Sequence, residues 1–200
     1  MSEWEESLPP RMREKLARIG EFTPAEKERM KDLDQLTSLL SGFYKGEVTA
    51  EALWKELKNY KDKGKGKGYV LKEAQVKLID SLSMAGDESE LQKRRHGILA
   101  IETLKEDQNT ATIEQGLDMI ERLRSRQKEE MEEAYNSLKA QVENNPQLRL
   151  QQVKQGQVMQ LTVDEAIKTS PEWNNFVANH EKQYSQEFYK VVQNLKSELQ

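Results

Sequence analysis

The chain has 200 residues, 36% of them hydrophobic and 33% charged, and its 31 basic and 35 acidic residues leave a net charge of −4. That apolar share is low for a compact globule and suits helices that each bury one stripe, while the acidic balance argues against a protein that wraps itself in nucleic acid. Cysteine is absent, which excludes disulfides, thiolate chemistry and cysteine-ligated zinc.

Residues 1–22 mix charges with Pro9 and Pro10 and are expected to form a flexible N-terminal arm, although Met12, Leu16 and Ile19 share one helical face. The first residues lack the apolar core of a signal peptide. No stretch approaches the roughly 20 apolar residues that cross a bilayer. A cytoplasmic location with no membrane partner is therefore expected.

A region of short helices follows at 23–105. Thr23, Pro24 and Glu26 spell a helix start, with a capping threonine, proline at the first position and glutamate three residues on. Met30, Leu33, Leu36, Leu40 and Phe43 continue it at helical spacing until Gly42 and Gly46 bracket its end. Thr49 opens a second helix with Ala52, Leu53, Leu57 and Tyr60 inward. The segment KDKGKGKGY at 61–69 interrupts it, because alternate glycines each cost a helix about 1 kcal/mol relative to alanine. Helical spacing resumes at Leu71, Ala74, Leu78, Leu82 and Ala85, and again at Leu91, Ile98, Ile101 and Leu104.

Residues 106–200 read as a long helical hairpin packed with the preceding region. Its first arm, about Thr110 to Glu143, contains no proline and carries Ile113, Leu117, Ile120, Met131, Leu138 and Val142 at helical spacing. About 34 residues at about 1.5 Å each make a rod of roughly 50 Å. The stripe breaks at Arg124 and Gln127. Polar seam residues can fix register or partner choice, or Leu123 can take over the packing. Asn145 and Pro146 end the arm. Residues 147–161 fit either a helix broken at Gly156 or two short strands turning there. Thr162 and Glu165 then match a capping box, and Ser170 and Pro171 open the second arm. That arm carries Trp173, Val177, His180, Tyr184, Phe188, Val191, Leu195 and Leu199 in a near-heptad series. Two striped helices joined by about 25 residues should fold back on each other, so the expected fold is an all-α, elongated helical bundle with a long antiparallel C-terminal hairpin.

Chemistry is sparse. His96 sits beside Arg94 and Arg95, which oppose a bound metal cation, and His180 falls on the apolar stripe, where a hydrogen-bonded packing role is the plainer reading. The Glu-x-x-His and His-Glu-x-x-His ligand motifs are absent, as is a Gly-x-Ser-x-Gly elbow. Glu129, Glu130, Glu132 and Glu133 lie among Arg122, Arg124, Arg126 and Lys128 and read as a solvated face. No catalytic, cofactor or metal residue is assigned, and no cofactor is expected.

More distinctive is the basic loop. Lys58, Lys61, Lys63, Lys65, Lys67 and Lys72, less Asp62, place a local charge of +5 within 15 residues of an acidic chain. Lys61, Lys63, Lys65 and Lys67 are candidate anion ligands, because flexible glycines let ammonium and backbone N–H groups turn towards phosphate, nucleic acid or an acidic protein surface; a solubilising linker between helices is the plainer reading. This is not a P-loop, which ends in Gly-Lys-Ser/Thr between strand and helix. Trp173, Tyr184 and Phe188 are candidate packing or partner anchors.

The expected function is that of a cytoplasmic helical interaction or scaffold protein without catalytic activity, binding another protein or itself. One alternative is a nucleic-acid-associated accessory factor using the basic loop. The other is an enzyme whose carboxylates meet only in the fold.

Overall fold

A computed structural model describes residues 23–62, 68–154 and 157–199. The arm expected at 1–22 and three of the loop lysines, Lys63, Lys65 and Lys67, lie outside the described residues. Those residues form seven α-helices: α1 (Pro24–Lys45), α2 (Ala50–Asp62), α3 (Gly68–Asp80), α4 (Glu88–Glu102), α5 (Thr110–Asn144), α6 (Val163–Thr169) and α7 (Pro171–Ser197). Between α5 and α6 lie a 3-10 turn, Pro146–Arg149, and two strands, β1 (Leu150–Lys154) and β2 (Gln157–Gln160). The all-α fold is thus present, with a single small sheet among the described residues. The chain divides into two compact units, residues 1–74 and 75–200, with the division inside α3.

In the first unit, Thr23 caps α1. Its hydroxyl accepts from Glu26 N at 3.2 Å, and the Glu26 carboxylate accepts from Thr23 N at 2.7 Å. The helix stops at Gly46, whose φ of 83° is the left-handed conformation that glycine adopts without a Cβ clash. Its buried residues are Asp32, Leu36, Leu40 and Phe43. The expected stripe began with Met30 and Leu33, yet Met30 is exposed and Leu33 half-buried. The cause lies on α3. Tyr69 donates its hydroxyl to Asp32 Oδ2 at 2.7 Å, and the Arg29 guanidinium stands 4.8 Å above the Tyr69 ring. The first turns of α1 therefore face α3 with Arg29 and Asp32, a polar pair that hydrophobic periodicity cannot register. Leu53 and Leu57 of α2 are fully buried, whereas Ala52 is exposed. Helix α2 continues through Asp62 and α3 begins at Gly68, so helix reaches further into the 61–69 break than its glycines suggest. A glycine costs little at a helix's first position, where its N–H has no intrahelical partner in any case.

In the second unit, Asp87 caps α4 by accepting from Glu90 N at 2.9 Å, and Leu91, Ile98 and Ile101 are buried. Arg95 ties α4 to α5 through Asp118 at 2.6 Å and Glu121 at 3.4 Å. At the end of α4, Glu102 is fully buried. Its carboxylate accepts from Gln75 Nε2 at 2.7 Å and Asn109 N at 2.7 Å and pairs with Lys105 at 3.0 Å. Burial pushes this carboxyl up, but the bonds from Gln75, Asn109 and Lys105 outweigh it and hold Glu102 below its ordinary value. A buried charge is tolerable only when paired and hydrogen-bonded in this way.

Helices α5 and α7 form the expected antiparallel hairpin. Contacts that ascend α5 descend α7: Asn109 Nδ2 donates to Glu198 at 2.7 Å, Arg126 meets Tyr184, and Tyr135 meets Trp173. Ile113, Leu117, Ile120, Leu123 and Val142 are buried, and Leu123 takes over where the stripe reaches Arg124. Arg124 instead turns to the carbonyls of Gly86 and Asp87. Met131 and Leu138 are only half-buried.

The ambiguous stretch at 147–161 resolves as strands. β1 and β2 pair antiparallel with Leu150 opposite Gln160, Gln151 opposite Met159 and Gln152 opposite Val158, and a bulge follows before Lys154. At the base Leu161 N donates to Arg149 O at 2.7 Å, and Arg149 Nε donates to Leu161 O at 2.8 Å. Thr162 and Glu165 make the expected capping box for α6. Ser170 ends α6 and also caps α7, accepting from Trp173 N at 3.1 Å.

Candidate functional site

Of the candidate anion ligands only Lys61 is described. It is exposed in the last turn of α2. Nearby Lys58 places its ammonium 5.0 Å from the centre of the Trp54 ring. His96 is exposed. Among the described residues, no group of three or more His, Asp or Glu side chains is placed to hold a metal ion.

The aromatic residues of α7 form a column. Trp173, Phe176, His180 and Tyr184, spaced by three, four and four, stack with centroid separations of 5.9, 5.0 and 4.6 Å. Such spacing keeps neighbours on one helical face. Tyr184 is fully buried, and its hydroxyl accepts from Arg126 Nε at 2.8 Å. Burial raises the Tyr184 hydroxyl above its ordinary value, against the pull of the Arg126 bond. Arg126 also donates to Glu187 at 2.7 Å. One turn along, buried His180 lies with Nε2 3.1 Å from Glu130 Oε2, while its Nδ1 has no hydrogen-bond partner. Each charge here has an opposite neighbour, and Arg126 remains exposed to water. The cluster is a polar layer between two apolar ends of the hairpin. The break in the α5 stripe lay near its position, and His180 and Tyr184 were expected on the α7 stripe; their pairing with Glu130 and Arg126 was not visible in the sequence.

Trp173 and Phe188 differ from Tyr184. Both are half-buried. Trp173 packs with Tyr135 and Leu138 onto a separate core of Val142, Leu161, Ala166 and Ile167, near the end of α5 where the antiparallel pairing places it. The Tyr135 hydroxyl donates to Asp164, closing α6 onto α5.

An opening of the second unit lies beside that core. A groove of about 410 Å³ is bordered by Leu138, Val142, Leu148, Leu150, Leu161 and Ile167. Leu148 and Leu150 are each 53% exposed, and Val158 and Met159 on the adjoining strand are 63% and 48% exposed. Four large apolar side chains thus stand in water on a small ribbon that carries neither Asp nor Glu between residues 145 and 163. Isolated exposed apolar residues need no explanation; here Leu150 and Val158 share one face of the ribbon, beside the groove, and Met159 stands on the other. Periodicity left strands here as one of two alternatives and assigned them no role. The available signal was a run of apolar residues left over once both hairpin stripes had been satisfied.

The fold and this surface define an all-α protein with a helical hairpin that ends in an exposed apolar ribbon. No helix among the described residues is long and apolar enough to cross a membrane. The chain belongs to a family of unknown function, DUF6657, whose pattern matches residues 54–200, from within α2 to the C-terminus. No curated protein and no solved structure matches it.

Proposed function

We propose that this is a cytoplasmic helical interaction protein that works by binding rather than catalysis, and that its binding surface is the ribbon end of the hairpin. One observation carries the reading: Leu148 and Leu150 stand exposed at a groove lined by Leu138, Val142 and Ile167, with Val158 exposed on the same face of the ribbon as Leu150. Covering the exposed half of each such side chain is worth roughly 1 kcal/mol, enough together to anchor a partner. The aromatic column supports this reading by serving the fold, since Tyr184 is interior and Trp173 braces the core behind the groove.

The test is capture from native lysate by the full chain, with nuclease treatment, compared with Leu148→Asp/Leu150→Asp and with Lys61→Gln/Lys63→Gln/Lys65→Gln/Lys67→Gln. Loss of nuclease-resistant protein capture in the leucine variant alone supports the reading. Loss confined to the lysine variant and abolished by nuclease transfers the function to nucleic-acid association through the basic loop. That binding would be insensitive to base sequence and steeply dependent on salt.

A further inference from the structure

Edge strands carry unpaired backbone N–H and C=O groups, and proteins usually guard them with charges, prolines, bulges or covering elements. The sheet here has only β1 and β2, so each strand has one open edge among the described residues. A two-stranded ribbon is marginal alone and gains from a third strand. β1 carries the bulge and contributes Leu150 and Gln151 to the groove wall. β2, with the sequence Gln-Val-Met-Gln, has no charge, no proline and no bulge on its own strand. Its described side chains are exposed. In a chain one-third charged, that is an unguarded edge.

From the paired Arg149 and Leu161, the alternation of an antiparallel ladder turns the N–H and C=O groups of Val158 and Gln160 away from β1. Resting on the binding role proposed for this end of the hairpin, we infer that the β2 edge pairs with the β2 edge of a second copy, joining two ribbons into a four-stranded antiparallel sheet about a two-fold axis.

Charge favours a second copy over another occupant. Residues 139–172 hold four basic residues (Lys139, Arg149, Lys154, Lys168) and four acidic ones (Glu143, Asp164, Glu165, Glu172), so this stretch is neutral in an acidic chain and two copies meet there without net repulsion. An isologous contact needs a surface complementary to itself, and this stretch supplies both signs. Pairing across the edge would also bring the two exposed Val158 side chains together.

The test measures mass against concentration by light scattering and sedimentation for the full chain, for Val158→Pro and for Val158→Lys. Proline removes an outward N–H without touching the β1–β2 ladder, and lysine restores a guarded edge. The expected result is a dimer whose dissociation constant rises at least about ten-fold in both variants. Unchanged circular dichroism and melting temperature would show that the variants still fold. Amide exchange provides a second measurement: the Val158 and Gln160 amides should gain protection as concentration rises. A wild-type chain that stays monomeric at every concentration, or a dimer indifferent to both substitutions, overturns the inference. Either result leaves the lysate experiment free to support a different partner on the same surface.

Discussion

Leu195 of α7 packs directly onto the backbone of α5 at Gly116, so closely that a Cβ on the glycine would lie 2.5 Å from Leu195 Cδ2 and 2.9 Å from its Cγ. Leu195 is buried and has little room to withdraw. Alanine normally favours a helix interior over glycine by about 1 kcal/mol, while overpacking costs about 1 to 3 kcal/mol. Gly116→Ala should therefore lose up to about 2 kcal/mol in denaturant unfolding rather than gain the usual increment of about 1. In a Leu195→Ala background the same substitution should become stabilising. A gain in the wild-type background would show that the close approach is not a constraint.

Tyr184 combines a buried ring with a hydroxyl held by Arg126 and Glu130 at the edge of the hairpin, and two substitutions separate these contributions. Tyr184→Phe should cost only about 1 kcal/mol, because Arg126 can turn to Glu187 and water. Tyr184→Ala should cost about 3 to 5 kcal/mol, since it leaves a cavity beside His180 and Arg126. Similar losses for the two would place the energy in the hydroxyl.

Half-buried Trp173 and Phe188 should matter less. Loss of roughly 2 kcal/mol is expected for Trp173→Ala and roughly 1 kcal/mol for Phe188→Ala, below the range for fully buried rings. Denaturant unfolding of the isolated chain measures both. A loss below about 0.5 kcal/mol for Trp173 would remove it from the core behind the groove.

The pH dependence follows from Glu102. Its folded carboxyl is held below the ordinary value of 4.5, so the group contributes stability that is fully present above that value and is lost as pH falls through the lowered one. Glu102→Gln should reduce stability at neutral pH and flatten the acid limb of the stability curve below about pH 4.5. Glu102→Ala should cost about 3 kcal/mol at neutral pH, because Gln75 and the Asn109 amide lose their buried acceptor. An acid limb unchanged in Glu102→Gln would assign it to other carboxylates.

Helix boundaries were legible where local chemistry writes them. Thr23/Glu26, Thr162/Glu165 and Ser170/Pro171 cap the helices they were expected to cap, because a cap is a contact between residues three apart. The hairpin was legible because each stripe needs a partner, and antiparallel return placed Trp173 near Val142. Polar contacts distant in sequence were not. Asp32 meets Tyr69 across 37 positions and Arg126 meets Tyr184 across 58, and no period marks such pairs in advance. The candidate interface was hidden for a related reason: exposed and buried leucines look alike until the packed ones have been accounted for.

Ser170 is the C-cap of one helix and the N-cap of the next, so a single residue joins α6 to α7. A joint of one residue has no slack. The Tyr135–Asp164 bond clamps α6 to α5, so this short joint starts α7, and with it Trp173, against the same end of α5. The ribbon enters α6 directly through Leu161 and Thr162, so β2, α6 and the first turn of α7 follow one another with no more than two residues between successive elements, and the exposed strands are tethered to the hairpin at both ends.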